Sequence, residues 1–202
     1  MTVNIQSHGE VNICHFNPES DAKEVANIWV SGLEQTVATK SRLTQPIWKM
    51  FFDHMAEKAV GPDGDVGPNG QNLSRHWCED AKNRSMLVAR MMVDDRNAPR
   101  SRIVGCIAVI RGTRCGANTE VESTESTFSV WKMSVTEEFR RKGIGAKLLE
   151  AGEMWAKNNG CTKMRMITAN PIASRFYQNQ GYKLLASRLW GTLFGAWHEK
   201  DL

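Results

Sequence analysis

Three basic residues, Arg140, Arg141 and Lys142, run directly into Gly143-Ile144-Gly145-Ala146, and an amphipathic stretch follows. Glycine lets a backbone approach a ligand without a Cβ in the way. A helix start carries free N–H groups and a partial positive charge. With the cationic side chains added, this segment describes a seat for a polyanion such as a pyrophosphate. The plainer alternative is an exposed basic turn ahead of an ordinary helix. Neither a P-loop (GxxxxGK[ST]) nor a GxGxxG dinucleotide fingerprint is present.

A second group of residues lies downstream. Asn170, Ala173, Tyr177, Gly181 and Tyr182 spell N-x-x-A-x-x-x-Y-x-x-x-G-Y. Asn170 followed by Pro171 is a helix start signal.

These residues need a strand before each helix. "TFSVWKMSV" (127–135) reads as a strand entering the basic loop, and "KMRMIT" (163–168) as a strand entering Asn170. From Gly143 onward, Ile144, Leu148, Ala151, Gly152 and Trp155 share one helical face. Upstream, "VNICHF" (11–16) is strand-like. A helix follows, with Ser20 or Asp21 as cap and Val25, Ile28, Trp29 and Leu33 at helical spacing. A second helix is expected over Thr44–Ala59, a short one over Asn72–Asn83, and a loop over Gly61–Gly70. "SMLVARMMV" and "RIVGCIAVI" form a hairpin whose second strand is covered on both faces. "GYKLLASRLW" and "TLFGAWHEKD" close the chain. The fold class is α/β: a mixed, mostly antiparallel sheet of about seven strands with helices on both faces. The 202 residues suit one domain, 1–202, with a helical insertion at about 37–83.

Composition limits the function. A net charge of +4 favours an anionic ligand but is too small for a nucleic-acid partner. Five scattered cysteines without a CxxC pair suit free thiols, no metal site and a cytoplasmic setting. The longest apolar runs are short, so no membrane span is expected.

Both motifs together resemble the GCN5-related N-acetyltransferase (GNAT) superfamily, over roughly residues 85–185. Arg140-x-x-Gly143-x-Gly145 is similar to its coenzyme A loop, and Arg141 to Ala146 fall where that family's amides hold the phosphates. The resemblance implies acetyl-CoA as co-substrate, lodged between two splayed parallel strands, 128–135 and 163–168. Backbone groups of Met133, Ser134 and Val135 would then polarise the thioester carbonyl. Straight alternation puts Phe128 and Val130 on one face of that strand and Trp131, Met133 and Val135 on the other, a phase slip that suits a β-bulge or, equally, a plain strand buried on both faces. The resemblance also implies that Asn170 and Ala173 border the pantetheine arm, and that Tyr177 is the general acid. Tyr177 as a packing residue is the alternative.

The family's frequent strand glutamate is missing: Ser129 and Trp131 stand there. Glu34 and His198 are weak candidates for a base. Deprotonating an ordinary lysine at pH 7 costs about 4.6 kcal/mol, an α-amine about 1. The implied reaction is acetyl transfer to a primary amine, of a small molecule, an amino-acid conjugate or a peptide, by a monomer or homodimer. A catalytically silent acyl-CoA-binding module is the alternative. Trp48, Phe51, Phe52 and Trp77 either line an acceptor pocket or form the core of the insertion.

Overall fold

The computed structural model describes residues 2–4, 10–40, 42–60, 72–73, 82–95, 98–112, 125–190 and 193–202. Its strands are β1 (Thr2–Asn4), β2 (Glu10–His15), β3 (Arg84–Asp95), β4 (Ala98–Arg111), β5 (Thr127–Val135), β6 (Lys163–Thr168), β7 (Lys183–Trp190) and β8 (Leu193–Asp201). They form one sheet in the order β1-β2-β3-β4-β5-β6-β8-β7. Among the described residues only β5 and β6 pair in parallel; the other ladders are antiparallel. The sheet is the expected one with a short strand added at its edge, where Val3 pairs with Val11. That strand had no apolar signal because backbone pairing alone makes it.

The helices are α1 (Pro18–Ala38), α2 (Gln45–Val60), α3 (Ile144–Asn158) and α4 (Pro171–Asn179). The expected loop over 61–70 and nearly all of the expected short helix over 72–83 lie outside the described residues, as does Trp77. So do the side chains of Trp48, Phe51 and Phe52.

Alternation along β3 and β4 divides the core in two. Leu87, Ala89 and Met91 face one side with Val104, Ile107 and Val109, against Ile144, Leu148 and Leu149 of α3. Met86 and Val88 face the other with Ile103, Cys106, Ala108 and Ile110, against Val25, Ala26 and Ile28 of α1. Strand β4 is thus covered on both faces, as its unbroken apolar run requires. Gly152 lets α3 lie close: a Cβ there would come within 3.1 Å of Val109 Cγ2 and 3.2 Å of Ile107 Cδ1.

The cap of α1 corrects the expectation. Asn17, not Ser20 or Asp21, is the N-cap, its side chain accepting from the Glu19 N–H. Pro18 at the first helical position needs no N–H partner. Asp21 is released for a longer-range task. Wholly buried, it accepts from the Asn17 N–H (2.8 Å) and the Ser20 hydroxyl (2.6 Å), and it pairs with Arg90 of β3. Burial pushes the Asp21 carboxyl up, but these hydrogen bonds and the guanidinium charge outweigh it, and its pKa is lowered overall. Asp21 therefore stabilises the fold above the ordinary carboxylate range, and that contribution is lost as pH falls through its depressed folded value. Asp21→Ala is expected to lower unfolding free energy by about 3–5 kcal/mol, because Arg90 is left without its buried counter-charge. Denaturant unfolding at neutral pH measures it; a loss below about 1 kcal/mol would remove the pair from the stability account.

Candidate active site

The basic loop is held from behind before it presents anything in front. Strand β5 ends with the Thr136 N–H donating to Val104 O (2.9 Å), and a 3-10 turn, Glu137–Phe139, reverses the chain. Arg141 (φ +57°) and Gly143 (φ +78°) are both left-handed, which swings the backbone into α3. The first helical bond is Lys147 N–H to Gly143 O (3.2 Å), so the amides of Ile144, Gly145 and Ala146 precede the ladder. No side chain caps them, and no acidic residue stands in the first turn. Ile144 is fully buried and pins the turn to the core, while Gly143 is exposed. A Cβ on Gly143 would meet nothing within 4 Å, whereas one on Gly145 would approach Met133 Cε (3.4 Å) and Phe176 Cζ (3.6 Å). The turn is thus an open row of amides that can accept an anion, backed tightly by β5 and α4.

The three cations are not equivalent. Arg140 folds back, its Nε donating to Val135 O (2.8 Å), and burial lowers its pKa. It braces the loop against β5. Lys142 lies with Nζ 5.1 Å from the centre of the Phe139 ring, and Arg141 is exposed. Arg102 of β4 pairs with Glu138 of the 3-10 turn (2.5 Å).

Strands β5 and β6 pair only from Thr127–Ser129 with Lys163–Arg165. Strand β5 continues to Val135 and β6 to Thr168 without further pairing between them. The cause lies on the other side of β5. Cys106 opposes Ser134 and Ala108 opposes Trp131, so Lys132 and Met133 together face Ile107. That is a β-bulge, and its Lys132 has φ +54°. The bulge was readable as a phase slip, but the face assignment needs correction. Met133 and Val135 join Phe128 and Val130 on the α3 side, and of these five apolar residues Trp131 alone packs on the α1 side. The extra residue restores the side that plain alternation takes away. Across the bulge, Lys132 Nζ sits 3.6 Å from the centre of the Trp29 ring of α1.

Asn170 serves as the cap of α4, its Oδ1 accepting from the N–H groups of Ile172 (2.9 Å) and Ala173 (3.3 Å). Asn170→Ala is expected to cost about 1 kcal/mol of stability, since a cap is lost. Thermal unfolding without cofactor checks this; an unchanged midpoint would assign the bonds no weight. Ala173 packs against the core beside Tyr177. Tyr177 is buried among Phe176, Tyr182 and His198, with ring centres 5.2, 5.9 and 5.9 Å away. Its hydroxyl donates to Met133 Sδ at 3.6 Å, so α4 delivers a phenol to the bulged stretch of β5. Burial raises the Tyr177 pKa well above the ordinary phenol value, and the proton stays on.

The two base candidates part here. His198 is wholly buried, its Nδ1 3.2 Å from Ala196 O and its Nε2 3.0 Å from Ser174 Oγ. A carbonyl only accepts, so Nδ1 carries the proton and the Ser174 hydroxyl donates to Nε2. Burial lowers the imidazole pKa and keeps the ring neutral. Glu34 is exposed on α1. Among the described residues no three His, Cys, Asp or Glu side chains gather to hold a metal ion, and no helix is long and apolar enough to cross a membrane. Cys14, Cys106 and Cys161 are free thiols.

Two contacts, one within α1 and one just past its end, had no signal in the sequence. Gly32 lies against β5 so closely that a Cβ would come within 2.6 Å of Ser134 Oγ. Lys40 donates through Nζ to Ala169 O, one residue before Asn170.

The open amides ahead of α3, the bulged strand parted from its parallel neighbour and the buried phenol at the gap lie together at one end of the β5–β6 pair. The family description "Acetyltransferase (GNAT) domain" matches residues 82–184, just over half of the chain. The chain therefore belongs to the GNAT family and is an acetyl-CoA-dependent acyltransferase. Among solved structures it is similar to the PaiA N-acetyltransferase of Thermoplasma acidophilum in complex with coenzyme A (16% identity, TM-score 0.65, covering 95% of this chain and 99% of that one). It is also similar to the GNAT domain of S. lividans PAT (15%, TM-score 0.61, covering 100% and 96%). A third is an acetyltransferase of the GNAT family from Staphylococcus aureus Mu50 (18%, TM-score 0.57, covering 95% and 99%). At these identities the likeness is one of fold. No curated protein matches the chain by sequence.

Proposed function

We propose that the chain moves the acetyl group of acetyl-CoA to a primary amine, of a small molecule, an amino-acid conjugate or a peptide, by direct attack in a ternary complex. The amides and cations from Arg140 to Ala146 bind the diphosphate, with Arg140 bracing the loop from behind. The backbone from Met133 to Val135 lines the gap and holds the thioester carbonyl in a donor field. Asn170 and Ala173 flank the pantetheine arm, and Tyr177 protonates the departing thiolate. The observation that carries this reading is the Tyr177 hydroxyl placed at Met133, on the bulged strand beside the gap.

With His198 committed to Ser174 and Ala196, the acceptor nitrogen loses its proton to water or arrives already neutral. A low-pKa amine suits such a site better than an ordinary lysine. Thiol release measured across amino acids, cysteine conjugates, polyamines, aminoglycosides and peptides tests the reading. Saturable release with one class is expected. Binding of acetyl-CoA with no release from any amine would favour a silent acyl-CoA-binding module, the reading that the missing strand carboxylate supports.

A further inference from the structure

We infer that Lys40 is a self-acetylation site, its amine standing where an acceptor amine meets the thioester; this rests on the function proposed above.

The argument begins with the path of α1. At Gly32 the helix touches Ser134, just beyond the bulge of β5. Just past the C-terminal end of α1 at Ala38, Lys40 reaches Ala169 at the end of β6. The end of α1 therefore bridges the stretch where β5 and β6 no longer pair. The carbonyl that holds Nζ belongs to the residue preceding Asn170, the residue assigned above to the pantetheine side. A primary amine of the chain itself thus projects to the gap, fixed by a contact between residues 129 positions apart.

The side chain is partly buried, and burial lowers the ammonium pKa, so more of the amine is unprotonated than for a solvated lysine. The chemistry balances without any further reagent. Neutral Nζ attacks the thioester carbonyl carbon, and the C–N bond forms as the C–S bond breaks. Coenzyme A leaves as thiolate and takes the Tyr177 proton, while the proton shed by Nζ passes to water and Tyr177 is reprotonated from water. The product amide keeps one N–H to donate to Ala169 O but has lost its charge.

The full chain is incubated with acetyl-CoA, and acetyl-lysines are mapped by peptide mass spectrometry over time. Lys40 is expected to label at least about tenfold faster than Lys49, an exposed lysine paired with Asp53. Gly143→Asp should reduce the Lys40 label to the Lys49 rate, and Lys40→Arg should leave no fast site. Equal labelling of both lysines, or Lys40 labelling undiminished in Gly143→Asp, would show ordinary chemical acetylation and overturn the inference. Calorimetry separates the two readings. Acetyl-CoA binding without fast Lys40 labelling sinks this inference alone; no binding sinks the proposed function with it.

Discussion

Gly143→Asp is expected to weaken acetyl-CoA binding by about 100-fold or more while the chain still folds. Two physical effects add. An L-residue held at φ +78° pays about 1–2 kcal/mol for the left-handed backbone. A carboxylate at the mouth of the amide row then opposes the diphosphate by about 1–4 kcal/mol for each charge at contact distance. Sterics do not enter, because the space in front of Gly143 is open. Gly143→Ala separates the two: it keeps the backbone cost, lowers stability by about 1 kcal/mol, and weakens binding only a few-fold. Calorimetric titration of both variants beside thermal unfolding decides the matter. Wild-type affinity in Gly143→Asp would return the loop to an exposed basic turn and take the cofactor assignment with it.

Tyr177→Phe is expected to lower kcat about 10- to 100-fold and leave the acetyl-CoA KM within about twofold. General acid catalysis contributes typically 10²–10⁴-fold, and a thiol leaving group of pKa about 8.5 needs the least of it. The variant should fold normally. The lost hydroxyl contacts only a thioether, a weak acceptor, and the ring still packs on Phe176, Tyr182 and His198. Steady-state kinetics with the best amine of the panel, beside an unfolding curve, distinguishes the roles. An unchanged kcat would make Tyr177 a packing residue. A fall in kcat accompanied by a large loss of stability would point the same way.

The elements that could be read from sequence are those specified by their own residues. Asn170-Pro171 sets the start of α4 through one side chain and one fixed φ, and the structure has that cap. The glycine-led start of α3 and the bounds of β5 and β6 likewise rest on local pattern. What stayed hidden depends on partners far along the chain. Asp21 looked like a cap because its type suits one. It is drawn away by Arg90, 69 residues on, which leaves Asn17 to do the capping. The bulge showed as a phase slip, but the side to which Met133 and Val135 turn depends on which residue the β4 ladder leaves unpaired. Lys40 gave no sign of meeting Ala169, since nothing in either segment names the other. The open amides were legible as chemistry, while the bracing of Arg140 on Val135 O was not, because three consecutive cations look alike until one is buried.

Lys132 makes the gap between β5 and β6 a matter of counting. Deleting that one residue would remove the bulge and restore even alternation on β5, with Met133 and Val135 still on the α3 side beside Phe128 and Val130. The freed backbone could then continue its ladder with β6 and zip the groove shut. Side-chain swaps in this strand change the fit of a ligand by degrees, but a change of length by one removes the place where a ligand goes.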